Sequence, residues 1–199
     1  SDTLPPIQAP RAISAASAFL TMEALNTAIF GGGSFRDGSG WNGTGWRAGR
    51  ALNRRDIGGK TGTTNESRDA WFSGYGPGLV VTSWIGFDDH ARTLGAAAAH
   101  PGLPQQLSGY EFAAKAALPA WVRFMEVALA DHPEQRYPMP PGIVSVRIDN
   151  ATGLLACGGD SHSSFEFFAA GSEPTAFVAT PDRPADGDSS TPTSNDELF

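Results

Sequence analysis

The sequence predicts an α/β protein in which helices pack on an antiparallel sheet of at least three strands. Three observations carry this. The run Leu79-Val-Val-Thr-Ser-Trp-Ile-Gly-Phe87 is dense in β-branched and aromatic residues, the composition of a strand. Two amphipathic stripes at helical spacing lie on either side of it, one before residue 31 and one after residue 110. Glycine and proline supply 24 and 15 of the 199 residues, a density that excludes a long helical bundle.

Taken in order, residues 1–13 read as an extended lead-in through Leu4-Pro5-Pro6 and Pro10-Arg11. Ser14 offers an N-cap hydroxyl to a helix over Ala15 to Phe30, in which Ala18, Met22, Leu25 and Ile29 form the apolar stripe, broadened by Phe19 and Leu20. Glu23 and Asn26 lie off that stripe, and Gly31-Gly32-Gly33 ends the helix. Residues 31–50, with eight glycines and with Trp41 and Trp46, read as a long surface loop, because so much glycine costs too much backbone entropy for a regular element. Strands follow over Asp56 to Thr64 and Ala70 to Tyr75, then a turn through Gly78 and the strand ending at Phe87, which makes an antiparallel meander. Both faces of that last strand carry bulk, so cover on both sides is expected. A loop over Asp88 to Leu107 leads to a second helix at about 110–130, striped by Leu118, Trp121, Val122, Met125 and Leu129, with Pro119 kinking it or marking its true start. Ile143 to Asp149 is a short strand, and a single folded unit over 14–180 gives way at 181–199 to an acidic tail, read as disordered for want of aliphatic residues.

Composition excludes several functions. The chain is 40% hydrophobic with five Trp and twelve Phe, enough to bury a core. Fourteen basic residues stand against twenty-one acidic ones, and only Lys60 and Lys115 are lysines, so nucleic acid is not an expected partner. Cys157 is the one cysteine, which rules out an internal disulfide framework and a cysteine-based zinc site. His90, His100, His132 and His162 stand at no ligand spacing, so no metal is expected, and no stretch reaches the roughly 18 apolar residues of a membrane span.

The chemistry concentrates in Gly58-Gly59-Lys60-Thr61-Gly62-Thr63-Thr64. A phosphate-binding loop needs a glycine five residues before Gly59, where Arg54 stands, and it must open a helix where this run reads as strand. A glycine-relieved edge strand without chemistry is the bland reading, and it does not explain why one of two lysines sits there among hydroxyls. The third reading is the Lys-Thr-Gly element of penicillin-recognising serine acyltransferases. On a strand edge Lys60 supplies positive charge, Gly62 lets a substrate backbone come close, the Thr61 and Thr63 hydroxyls can bind a carboxylate, and the Thr63 N–H can serve an oxyanion.

The match extends well beyond three residues. Gly59-Lys-Thr-Gly-Thr-Thr-Asn-Glu-Ser-Arg-Asp-Ala-Trp-Phe-Ser-Gly74, followed by Val81-Thr-Ser-Trp-Ile-Gly-Phe-Asp88, resembles the C-terminal part of the transpeptidase domain of class A penicillin-binding proteins, particularly the 1A type. Ala9 to Ser14, Pro119-Ala-Trp121, Met139 to Val144, Thr152 to Ala156, Phe165-Glu-Phe167 and Glu173-Pro-Thr175 continue the likeness in order over about 9–178. The resemblance implies a partial serine β-lactamase-like fold and a D-alanyl-D-alanine stem peptide as substrate. It also implies β-lactams as mimics of that substrate, no metal or organic cofactor, and a periplasmic protein held to the inner membrane through a segment absent here.

That family acylates the serine of a Ser-x-x-Lys motif and carries a second Ser-x-Asn motif. Three residues before Lys60 and Lys115 stand Ile57 and Phe112, and no asparagine has serine two residues before it, so neither motif occurs in this chain. The expectation is a C-terminal piece of a bifunctional cell-wall synthase, with no nucleophile of its own, inactive alone and prone to self-association. Two alternatives stand beside it: a serine β-lactamase-like hydrolase fragment, and a docking module for a regulator or partner synthase.

Overall fold

A computed structural model describes residues 10–33, 40–98, 108–159 and 162–178. Helix α1 (Ala15–Phe30) starts and stops where its residues dictate. The Ser14 hydroxyl accepts the Ser17 N–H at 3.0 Å, and Gly31 closes the helix at φ +73°, with its N–H on Thr27 O. Its inward face differs from expectation. Phe19 and Ile29 are buried, but Asn26 also turns in, donating from Nδ2 to Arg55 O (2.9 Å) and Ile57 O (2.8 Å). A polar side chain belongs on that face because it satisfies the carbonyls of the segment entering the sheet.

The loop expected over 31–50 ends early, at helix α2 (Trp46–Leu52), which stops at Asn53 in the left-handed region. Ala48, Arg50, Ala51 and Leu52 are ordinary helix formers, and Gly49 stands among them where a Cβ would come within 2.6 Å of the Phe30 ring. Strands β1 (Gly58–Thr63), β2 (Asp69–Gly76) and β3 (Leu79–Gly86) form the predicted antiparallel meander in the order β1-β2-β3. The loop predicted over 88–107 contains a two-residue strand, β4 (Ala96–Ala97), which pairs with β5 (Gly109–Tyr110) just beyond it. The single helix expected from Tyr110 is in fact two, α3 (Ala113–Ala116) and α4 (Leu118–Ala128). Pro119, which lacks an amide donor, sits in the first turn of α4. β6 (Ile143–Asp149) pairs antiparallel with β7 (Ser163–Ala169), which the sequence reading did not identify as a strand. The predicted tail and most of the lead-in lie outside the described residues.

The core sits between the sheet and α4. Trp121, Phe72, Ile29, Ile57, Leu118 and Met125 are fully buried. The Trp121 ring meets Phe72 edge-on at 4.9 Å and its Nε1 donates to Val81 O at 3.1 Å. Among the described residues only this face is covered along β3, contrary to the expectation. On the other face Trp71 and Trp84 stay over 40% exposed and Val80 79% exposed, because no described helix lies over them. Phe19 packs edge-on against Phe167 at 5.1 Å and joins α1 to the β6–β7 hairpin.

A buried ion pair closes the sheet's entrance. Arg54 grips Asp56 with two bonds (2.9 and 2.8 Å) and donates to Leu129 O, His132 O and Pro133 O beyond α4. Asp56 also accepts the Gln135 N–H at 2.8 Å. Burial pushes the Asp56 carboxyl up, but the bonds from Arg54 and Gln135 and the Arg54 charge outweigh it, leaving the group below its ordinary 3.8. A carboxylate lowered on folding stabilises the fold above its unfolded value, and that contribution is lost as pH falls through the lowered one. Asp56→Asn should cost about 3 kcal/mol by urea denaturation at neutral pH, since it leaves Arg54 buried without its counter-charge. The wild-type chain should also lose stability more steeply than the variant on acidification below about pH 4. Parallel acid curves for the two would contradict this account.

Candidate active site

β1 is one edge of the sheet, and its geometry follows from its register. Thr63 faces Ala70, Thr61 faces Phe72 and Lys60 faces Ser73 on β2. The Thr64 N–H donates to Asp69 O at 3.1 Å, which makes that pair a hydrogen-bonded one. Antiparallel ladders alternate, so Gly62 and Lys60 share its phase, while Thr63 and Thr61 turn their N–H and C=O groups away from β2 and out of the edge. Gly58 and Gly59 at the start of the strand are buried; Lys60 to Thr63 are accessible.

Side chains alternate between the two faces. Lys60 and Gly62 lie on the uncovered face with Trp71, Ser73 and Trp84, whose indole rings sit 5.9 Å apart. Thr61 and Thr63 lie on the opposite face. The Thr63 hydroxyl accepts the Ala113 N–H at the start of α3 (3.0 Å), and a hydroxyl so engaged keeps its own proton to donate. Thr61 Oγ1 is 3.0 Å from Thr44 Oγ1. The Lys60 ammonium wraps back over the edge, donating to Thr61 O at 3.0 Å and to Thr61 Oγ1 at 3.3 Å. A Cβ added at Gly62 would meet only the Trp71 Cβ, at an ordinary 3.5 Å, so packing among the described residues does not demand glycine there.

All four residues picked from the sequence therefore stand on one accessible edge. Thr44 joins them although the sequence reading passed over it. The available signal was a hydroxyl between two glycines, Gly43 and Gly45, shortly ahead of the Lys-Thr-Gly run. Beside the edge Asp69 accepts the Trp84 Nε1–H at 3.0 Å, while Arg68 pairs with Glu66 and donates to His90 O. Among the described residues no group of three or more His, Cys, Asp or Glu side chains could hold a metal ion, and no helix is long and apolar enough to cross a membrane. Chemically, the edge can pair an extended peptide through the outward amides, hold an anion on hydroxyls and an ammonium, and donate an N–H to a developing oxyanion.

A Lys-Thr-Gly edge strand on an antiparallel meander, backed by the helix α4, belongs to the fold of penicillin-recognising transpeptidases. The chain superposes on the crystal structure of penicillin-binding protein 1A from Haemophilus influenzae with a TM-score of 0.71 and 45% identity, over 86% of this chain and 22% of that one. Penicillin-binding protein 1A of Vibrio cholerae is 56% identical over 171 residues, 86% of this chain and 21% of that protein. The Escherichia coli protein of the same name is 57% identical over 167 residues, 84% of this chain and 19% of its own. No protein-family model matches the chain. The chain belongs to the penicillin-binding protein 1A family, and it spans about a fifth of the length of the relatives it matches.

Among the described residues the Thr63 hydroxyl is the only acceptor of the Ala113 N–H, and Ala113 is buried. Thr63→Val should therefore cost about 1–3 kcal/mol in urea denaturation, and Thr63→Ser should keep most of that stability. Equal stability of all three forms would show that this bond carries no weight.

Proposed function

We propose that this chain is the C-terminal part of the transpeptidase domain of a bifunctional cell-wall synthase and supplies the Lys-Thr-Gly-Thr wall of its acyl-transfer cleft. The observation that carries the reading is the accessible β1 edge. There Thr61 and Thr63 turn their amides outward beside an exposed Lys60 and a Gly62 that carries no side chain to obstruct the edge. The uncovered Trp71–Trp84 face supports it, since an aromatic face with no cover suits a domain whose other half lies elsewhere in a longer protein.

In that enzyme a serine of an upstream Ser-x-x-Lys segment attacks the carbonyl of the penultimate D-alanine of a stem peptide. The Thr63 N–H receives the oxyanion, the C–N bond to the terminal D-alanine breaks, and the leaving amine takes a proton. The acyl-enzyme then passes to an amine of a neighbouring strand. Thr61 and Thr63 hold the terminal carboxylate, and Lys60 adds charge and orients the serine of the Ser-x-Asn motif. The Lys60 ammonium leaves the Thr61 carbonyl when the substrate backbone pairs there. A glycosyltransferase domain, an inner-membrane anchor and a periplasmic location belong to the same proposal, as does self-association of the isolated chain.

A fluorescent penicillin tests it. The 199-residue chain alone should take up no covalent label. The longer protein that carries it should be labelled, and Lys60→Ala in that protein should slow labelling about 100-fold or more. Stoichiometric covalent labelling of the isolated chain would sink the reading.

A further inference from the structure

The Thr61 hydroxyl has a neighbour that the edge strand itself does not supply. Thr44 Oγ1 lies 3.0 Å from Thr61 Oγ1, seventeen residues away in sequence. Thr44 is exposed, but both its neighbours, Gly43 and Gly45, are buried. They are fixed to the end of α1. The Gly45 N–H donates to Ala28 O at 2.9 Å, and a Cβ on Gly43 would run into the Ala28 carbonyl. The Gly43 and Gly45 carbonyls in turn accept the N–H groups of Trp46 (3.2 Å) and Ala48 (2.8 Å) as α2 begins. The turn is thus pinned on both sides, and it presents one hydroxyl to β1.

A hydroxyl has two acceptor positions and one proton. At Thr61 the Lys60 ammonium can only donate, so it takes one acceptor position. The direction of the Thr44 bond decides what is left. If Thr61 donates to Thr44, its proton is consumed. If Thr44 donates, the Thr61 proton is free for an anion at the edge, and each donor behind it strengthens that bond by polarising the chain. A carboxylate only accepts, so it selects the second arrangement.

We propose that Thr44 is a positioning residue whose hydroxyl donates to Thr61 and turns the Thr61 proton toward the carboxylate of a ligand bound at the β1 edge. The inference rests on the reading of that edge given under Proposed function. It is tested in the longer protein that carries this chain, by comparing acylation rates for benzylpenicillin and for its methyl ester, which lacks the carboxylate. Thr44→Val should lower the free-acid rate relative to the ester rate about tenfold, and Thr44→Ser should restore the ratio. An equal fall with both ligands, or none, would overturn the role of Thr44. Thr61→Val separates the two ideas. If it lowers the ratio while Thr44→Val does not, the edge reading stands and the inference about Thr44 is wrong. If Thr61→Val leaves the ratio at its wild-type value, both fail.

Discussion

The seat of Trp121 on the sheet is the contact from which the rest of the arrangement follows. The indole is fully buried, meets Phe72 edge-on, and spends its one polar atom on the Val81 carbonyl. It reaches that place over Gly74, where a side chain would stand 2.8 Å from its ring. Phe72 and Gly74 are thereby held to the packed face, and Trp71 and Ser73 to the open one. Because side chains alternate along a strand, a slip of one residue would exchange the faces of every neighbour. β1 inherits its register from β2, so the indole decides indirectly that Lys60 and Gly62 lie on one side and Thr61 and Thr63 on the other.

Three separate elements converge on that edge. α3 meets the Thr63 hydroxyl through its first buried amide, the turn after α1 meets the Thr61 hydroxyl through Thr44, and the strand's own Lys60 reaches the Thr61 carbonyl. Asn26 holds the carbonyls of Arg55 and Ile57 just before the strand, and the Arg54–Asp56 pair ties the same segment to the far end of α4. An edge strand is ordinarily the least constrained strand of a sheet, and here both its approach and its hydroxyls are held from outside. Polar groups presented in fixed positions need little rearrangement when a ligand arrives.

The legible parts of the fold were those with local causes. Ser14, the glycines after Phe30 and the apolar period between them set α1, and β-branched density set β3. α2 was hidden because the glycines around it serve contacts with α1 that no local pattern announces. β7, Ser163–Ala169, escaped because it contains no β-branched residue and owes its form to pairing with β6. Bulk on both faces of β3 implied double cover, yet composition cannot say whether the covering element belongs to the same chain. At the site the pattern reached all four residues of the edge, and the length of the resemblance separated the Lys-Thr-Gly element from chance. Thr44 and the inward turn of Asn26 depend on contacts across 17 to 31 residues, which no spacing rule reaches.

The folded-back Lys60 bears on a different hazard. A bare strand edge is a template onto which any passing strand can add, and proteins commonly blunt such edges with lysine. In this chain the ammonium that covers the outward Thr61 carbonyl is also a charge that a second copy would have to bury in order to pair there. A strand adding there must first strip that ammonium from the carbonyl and from water, so the same side chain disfavours indiscriminate pairing at the edge.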